Sequence, residues 1–168
     1  MKAKENKPIL HLICGLPGSG KTTLSKNIAD TLGAIRFCPD EWIKEIWPKE
    51  TAETEGNSRR DQVEQMQWKL GKEFLKLGKD VVIEWGTWGK SEREKLRDDA
   101  WAVGAKVKFY YLDLPREVLK ERLLKRNVDL PRHEFYTPEN RIEAFLDECC
   151  SSMQVPQADE LKTYDYLG

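Results

Sequence analysis

The chain has 168 residues, with 28 lysines and arginines against 29 aspartates and glutamates and a formal net charge of −1. That length suits one domain able to bury a real core, and the near-neutral balance lacks the basic excess that binding along nucleic acid usually requires. The four cysteines, Cys14, Cys38, Cys149 and Cys150, fit neither a zinc spacing nor a disulfide framework and are read as free, reduced thiols.

Residues 1–8 are charged and carry no apolar stretch of the signal-peptide kind. Residues 9–14 (ILHLIC) read as a buried first strand. They are the longest apolar run and far too short to span a membrane, so the expected setting is cytoplasmic, without a membrane partner. Gly15-Leu16-Pro17-Gly18-Ser19-Gly20-Lys21-Thr22 follows. Leu24, Ile28 and Leu32 then recur at four-residue spacing on one face of a helix that Gly33 can end. Residues 35–38 form a short second strand closed by Pro39, and residues 40–47 a short helix stopped before Pro48. Residues 50–57 are a polar, acidic connection. Residues 58–77 form a helix with Val63, Met66, Leu70, Phe74 and Leu77 along one stripe.

Residues 81–84 are a third strand. Ser91 and Glu94 have the capping-box spacing for a helix that buries Leu96, Ala100 and Val103 and ends at Gly104. Residues 107–112 are a fourth strand, and Pro115 opens a helix that runs through Arg126. Residues 127–136 are polar and irregular. Thr137-Pro138-Glu139 starts another helix, to about Cys150. No element is assigned to residues 151–168. Strands alternating with helices predict a single three-layer α/β domain over residues 1–168, with a mostly parallel sheet and a small helical lid around residues 127–136.

Residues 15–22 satisfy G-x-x-x-x-G-K-[ST], between a buried strand and an amphipathic helix. In such a loop the glycines let successive backbone N–H groups face inward as an anion nest, and the helix N-terminus adds positive potential. Gly15, Leu16, Pro17, Gly18, Ser19, Gly20, Lys21, Thr22 and Thr23 are therefore the expected nucleotide-binding stretch. Lys21 would meet the outer phosphates, and the Thr22 hydroxyl would ligate Mg²⁺. Ligands of parallel sheets sit beyond the carboxyl ends of the strands, where two acids lie. Asp40, after the second strand, is positioned to accept the proton of an attacking hydroxyl; it is equally placed to cap the helix that follows. Glu84, closing Val81-Val82-Ile83, is costly to bury unless a cation or donor meets it, which suits support of the Mg²⁺ water shell. Trp85 and Trp88 are either an aromatic wall of an acceptor pocket or ordinary packing.

Arg122 and Arg126 share one helix face, and Arg132 follows in the polar loop. Arginines there suit stabilisation of a transferring phosphoryl group; the alternative is a solvated face paired with Glu117 and Glu121.

Assembled, these residues resemble the small P-loop kinases grouped as AAA-family ATPases of the zeta-toxin and polynucleotide-kinase type. The resemblance runs from Ile9 to about Phe145. It is carried by Gly15 to Leu24, by Cys38-Pro39-Asp40-Glu41-Trp42 and by Leu124-Lys125-Arg126-Asn127. It implies a nucleoside-kinase-like strand order, ATP and Mg²⁺ as cofactors, Asp40 as general base, and Arg126 and Arg132 as lid arginines. Polynucleotide kinases of that group place a base-assisting arginine shortly after the aspartate, where this chain has Ile43 and Lys44; a nucleic-acid end substrate is thus disfavoured. The expected activity is transfer of the ATP γ-phosphate to a hydroxyl of a small molecule, with Lys21, Asp40, Arg126 and Arg132 as the catalytic set. The rivals are an ATP-binding switch or nucleoside triphosphatase, and an end kinase for nucleic acid.

Overall fold

Side chains of β1 (Ile9–Gly15) alternate between two covered faces, and this sets the architecture. In the computed structural model, which describes residues 7–47, 56–129 and 136–168, Leu10, Leu12 and Cys14 join a core cluster with Trp68, Leu75 and Leu96. Ile13 instead packs with Ile28 and Tyr110. Helices α3 (Gly56–Lys76) and α4 (Lys90–Ala102) cover the first face and α1 (Lys21–Leu32) the second. A strand buried on both faces is the expected centre of a parallel sheet.

The sheet runs β2 (Ile35–Phe37), β3 (Val81–Gly86), β1, β4 (Lys106–Leu112), β5 (Tyr166–Leu167). Every pairing is parallel. β1 lies between β3 and β4, with Leu12 opposite both Ile83 and Phe109. The chain therefore leaves the sheet at β1 with neighbours that arrive later in sequence, which opens a crevice beyond the carboxyl ends of β1 and β3. Helix α2 (Pro39–Ile46) follows β2; α5 (Arg116–Asp129) and α6 (Ile142–Ser152) pack through Leu119, Leu123, Ile142 and Leu146.

Several expectations are corrected. The buried stripe of α3 is Val63, Gln67, Trp68 and Leu75, while Met66, Leu70 and Leu77 are exposed. The buried face is thus rotated, because Trp68 packs in the core with its indole N–H given to Asp99 Oδ2 at 2.7 Å. Leu32 is likewise exposed. No capping box forms at Ser91, since α4 already starts at Lys90 with Gly89 as N-cap. Nor does Asp40 cap α2: Cys38 is the N-cap and Pro39 takes the first helical position. The helix after Thr137 opens as a 3₁₀ turn, Glu139–Arg141, before α6.

The tail, left without elements above, contributes α7 (Ala158–Leu161) and the edge strand β5. It is fastened by a fully buried ion pair, Arg93 to Glu160, with Nε–Oε1 at 2.7 Å and Nη2–Oε2 at 2.9 Å. Tyr164 stacks on Phe109 with ring centroids 4.5 Å apart. Among the described residues no helix is long and apolar enough to cross a membrane, and all four cysteines are free.

Candidate functional site

The loop after β1 turns on two glycines with positive φ. Gly18 has φ 82° and a Cβ there would stand 3.2 Å from the Leu119 carbonyl, while Gly20 has φ 101° and forms the N-cap of α1. Both conformations are left-handed, where a side chain is strained. Ser19 N donates to Leu16 O at 3.1 Å and closes the curl. Lys21 folds over it, its Nζ donating to Gly15 O and Leu16 O at 3.0 Å each. Burial pushes the Lys21 ammonium below its ordinary pKa, because desolvation disfavours the charged form. The loop and the start of a 12-residue helix together form an anion-binding cradle.

Thr22 and Glu84 meet. The Thr22 hydroxyl donates to Glu84 Oε1 and the Ser25 hydroxyl to Oε2, joining α1 to the end of β3. Arg36, from β2, donates to Glu84 Oε2 through Nε at 2.8 Å and Nη2 at 2.6 Å. Glu84 is 6 % exposed, so the cation and donors that its burial requires come from Arg36, Thr22 and Ser25. A Mg²⁺ ion fits this donor set by its preference for few protein oxygens and several waters: Thr22 would supply the direct ligand, and Glu84 would orient the hydroxyl and hold a coordinated water. Among the described residues there is no cluster of three or more His, Cys, Asp or Glu able to hold a metal, so a metal there would depend on phosphate oxygens as well.

Asp40 stands in the first turn of α2 at the same end of the sheet. Its Oδ1 accepts from Arg60 Nη1 at 2.5 Å. Arg60, on α3, also donates to the Trp85 carbonyl at 3.2 Å and contacts Glu64 at 2.9 Å. Asp40 is thus paired with an arginine twenty residues later in sequence. The spacing carries no trace of it, since the contact depends on how α2 and α3 pack.

The tryptophans after Glu84 separate into two roles. Trp88 donates from Nε1 to Gly15 O at 3.0 Å and so braces the loop after β1. Trp85 donates to Gln67 Oε1 at 2.9 Å and lines a cavity of about 200 Å³ between α3 and α4, with Asp61, Glu64, Trp68 and Glu92. Between them the backbone turns sharply, with Gly86 at φ 98° and Thr87 at φ 45°. A β-branched residue in that region costs about 1–3 kcal/mol. Here Thr87 is held by its own hydroxyl on Ile13 O at 3.2 Å and by Arg93 Nη1 on its carbonyl at 3.1 Å.

From α5, Arg122 reaches the loop and donates to Gly18 O and Ser19 O at 3.3 Å each. Arg126, one turn on, is half-buried, and burial pushes its pKa down. Asn127 bonds the Thr137 backbone on both sides, Nδ2 to the carbonyl at 2.5 Å and Oδ1 from the N–H at 3.3 Å. Arg132 and residues 130–135, most of the expected lid, lie outside the described residues.

A five-stranded parallel sheet with a glycine-rich loop between β1 and α1 defines a P-loop nucleotide-binding protein of the small kinase-like type. Residues 10–150 match the AAA domain family, and the chain belongs to it. Among solved structures, a candidate kinase from Chloroflexus aurantiacus J-10-fl is similar at TM-score 0.71 and 21% identity, over 96% of this chain and 86% of the other. A gluconokinase from Sinorhizobium meliloti 1021 is similar at TM-score 0.58 and 20% identity, over 96% of this chain and 82% of the other. A chain of the Pnkp1/Rnl/Hen1 RNA repair complex is similar at TM-score 0.66 and 20% identity, over 98% of this chain and half of the other. No curated protein matches significantly. At these identities the likeness shows the fold.

Proposed function

We propose that the protein is an ATP- and Mg²⁺-dependent phosphotransferase that moves the γ-phosphate to a hydroxyl of a small molecule. The observation that carries this is the Asp40–Arg60 pair at the same sheet end as the phosphate loop. A nucleotide switch needs the loop but no base beside it. The loop N–H groups, Lys21 and the α1 N-terminus bind the phosphates, and Arg122 and Arg126 approach from α5 to offset charge on the transferring group. Mg²⁺, when bound, would neutralise charge developing on the phosphates; Thr22 and Glu84 would hold it. Asp40, oriented by Arg60, takes the acceptor's proton. The acceptor oxygen bonds to the γ-phosphorus, the bond to the bridging oxygen breaks, ADP leaves, and Asp40 returns the proton to solvent.

The test is Asp40→Asn, assayed with an acceptor found by ADP release across sugars, nucleosides, antibiotics and oligonucleotides. Asparagine keeps the shape and an acceptor for Arg60 but cannot take a proton. A positioned base contributes ~10²–10⁴-fold, so transfer should fall at least about a hundredfold while ATP and Mg²⁺ binding and slow hydrolysis survive. Normal transfer in the folded variant would remove Asp40 as the base. Joint loss of hydrolysis and metal binding would move it into the metal shell.

A further inference from the structure

The cavity between α3 and α4 is linked to Asp40 by a single side chain, Arg60. Arg60 joins the two: its Nη1 holds Asp40, its Nη2 the Trp85 carbonyl, and its Nε Glu64, and both Trp85 and Glu64 line the cavity. The remaining wall is acidic and aromatic, with Asp61 and Glu92 as further carboxylates and Trp68 beside Trp85. Lys95 is the single cation of the lining, and its Nζ is turned to Asp99 at 2.8 Å. The cavity thus presents three carboxylates, Asp61 at its exposed rim and Glu64 and Glu92 partly buried, with Glu64 sharing a guanidinium with Asp40. Burial, outweighing Arg60, pushes Glu64 up to about 7, and burial also raises Glu92. Gln67, fully buried behind Trp85, accepts that indole's N–H and leaves its own Nε2 without a hydrogen-bond partner among the described residues. The volume, about 200 Å³, is below the ~300–1,000 Å³ of pockets for drug-sized ligands. It admits a single ring or a short chain.

We propose that this cavity is the acceptor subsite and that it takes a small hydroxyl compound bearing a protonated amine. The ammonium supplies positive charge to a lining whose three carboxylates have Arg60 on Glu64 as their shared cation. With the ammonium against Glu64 and Glu92, a hydroxyl on the same molecule is placed on the Arg60 side of the cavity, the side on which Arg60 holds Asp40. The same charge rejects carboxylates and phosphorylated ends. Sugar acids and RNA termini are therefore poor occupants, although a gluconokinase and an RNA repair enzyme share the fold. The direction of the chemistry rests on the phosphotransferase reading; the binding preference does not.

The experiment uses matched sets of amino sugars, amino cyclitols and amino alcohols, each with its neutral and carboxylate counterpart. Binding to the full chain at pH 8, without nucleotide, is followed by tryptophan fluorescence and calorimetry; transfer is measured separately as phosphorylated product with ATP and Mg²⁺. At least one amine-bearing compound should bind about tenfold or more tightly than its neutral counterpart, with the carboxylate weakest. Glu64→Gln combined with Glu92→Gln should erase most of that preference while nucleotide binding is kept. For amines already protonated at pH 8, such as simple amino alcohols, lowering the pH through 7 should weaken binding, because Glu64, facing Arg60, Asp61 and Glu92, takes up a proton. Amine preference without transfer keeps the subsite and removes the phosphotransferase reading. Transfer to neutral or acidic compounds without amine preference does the reverse and overturns the proposal. It is equally overturned if no amine-bearing compound binds, or if the double variant leaves the preference intact.

Discussion

Replacing Arg36 by methionine keeps most of the apolar stem but leaves Glu84 without its cation. The Glu84 side chain is 5 % exposed and that of Arg36 13 %. Arg36 also donates to Ser25 Oγ at 2.8 Å and pairs with the exposed Glu41 at 2.8 Å. The Glu41 pair, at the surface, is worth roughly 0–1 kcal/mol. Glu84 dominates: removing one partner of a buried pair costs about 3–5 kcal/mol, because the remaining charge has neither water nor counter-ion. In a domain of this size each kcal/mol moves Tm by about 2–4 °C, so a fall of roughly 6–20 °C is expected. Urea unfolding should show a lower midpoint with an unchanged slope. Adding Glu84→Gln to Arg36→Met removes the stranded charge while keeping groups for Thr22 and Ser25. The double variant should therefore recover at least about half of the loss, a coupling expected only for contacting residues. If Arg36→Met stays within about 1 kcal/mol of the parent, or if the two changes simply add, then Arg36 is not what makes the buried Glu84 tolerable.

Lys21→Ala should greatly weaken ATP binding or abolish turnover with the fold intact, because Lys21 is the side-chain cation within the loop; unchanged affinity and turnover by calorimetry and ADP release would remove the nucleotide site. Glu64 binds its proton more tightly folded than unfolded, so its contribution to stability worsens as pH rises from about 4.5 towards 7. Glu64→Gln should consequently gain on the parent by about 3 kcal/mol between pH 4 and pH 8, read from urea unfolding, and a pH-independent difference would contradict the buried, raised carboxyl. Arg93→Met should cost about 3–5 kcal/mol by stranding the buried Glu160 and should also weaken ATP binding, since Arg93 holds the Thr87 and Trp88 carbonyls beside the loop. A destabilised variant that binds ATP normally would confine Arg93 to stability.

The parts of the site legible in sequence are those that a contiguous stretch specifies. Residues 15–22 encode their own geometry, since Gly18 and Gly20 sit where φ is positive and Lys21 closes on its own loop. Glu84 was legible as a burial problem, a carboxylate at the end of an apolar strand, but its solution was not. Arg36 lies 48 residues from Glu84, Arg60 20 from Asp40, and Arg93 67 from Glu160, and no periodicity links such partners before the sheet order is known. The buried stripe of α3 departs from the apolar pattern for a related reason. Gln67 is fully buried while Met66 is 59 % exposed, so the core face carries an amide where an apolar pattern expects none. The amide is tolerated because Trp85 bonds it, another contact between distant segments. The tail gave no periodic signal because α7 and β5 are four and two residues long.

That unreadable tail governs the best-read motif. Gly15 O receives two donors, Lys21 Nζ and Trp88 Nε1. On the proposed reading, Lys21 turns from Gly15 and Leu16 to a phosphate when nucleotide binds, and a buried carbonyl that lost its only donor would cost about 1–3 kcal/mol. Trp88 removes that cost at Gly15, so the loop can release its lysine without refolding. Trp88 is in turn fixed by the Arg93 bond to its carbonyl at 2.9 Å and by the Gln154 N–H on the same oxygen at 3.0 Å. Arg93 is immobile because Glu160 neutralises it in full burial, with the Tyr164 hydroxyl donating to the same carboxylate at 3.1 Å. The chain of contacts therefore runs from residues 154–164 through Arg93 and Trp88 to Gly15. A phosphate loop must hold its N–H groups in place before the anion arrives if binding energy is not to be spent on ordering it. In this protein the contacts that brace the loop come from residues 154–164, more than 130 positions away in sequence, which is why a loop so plainly written near the N-terminus still depends on the tail.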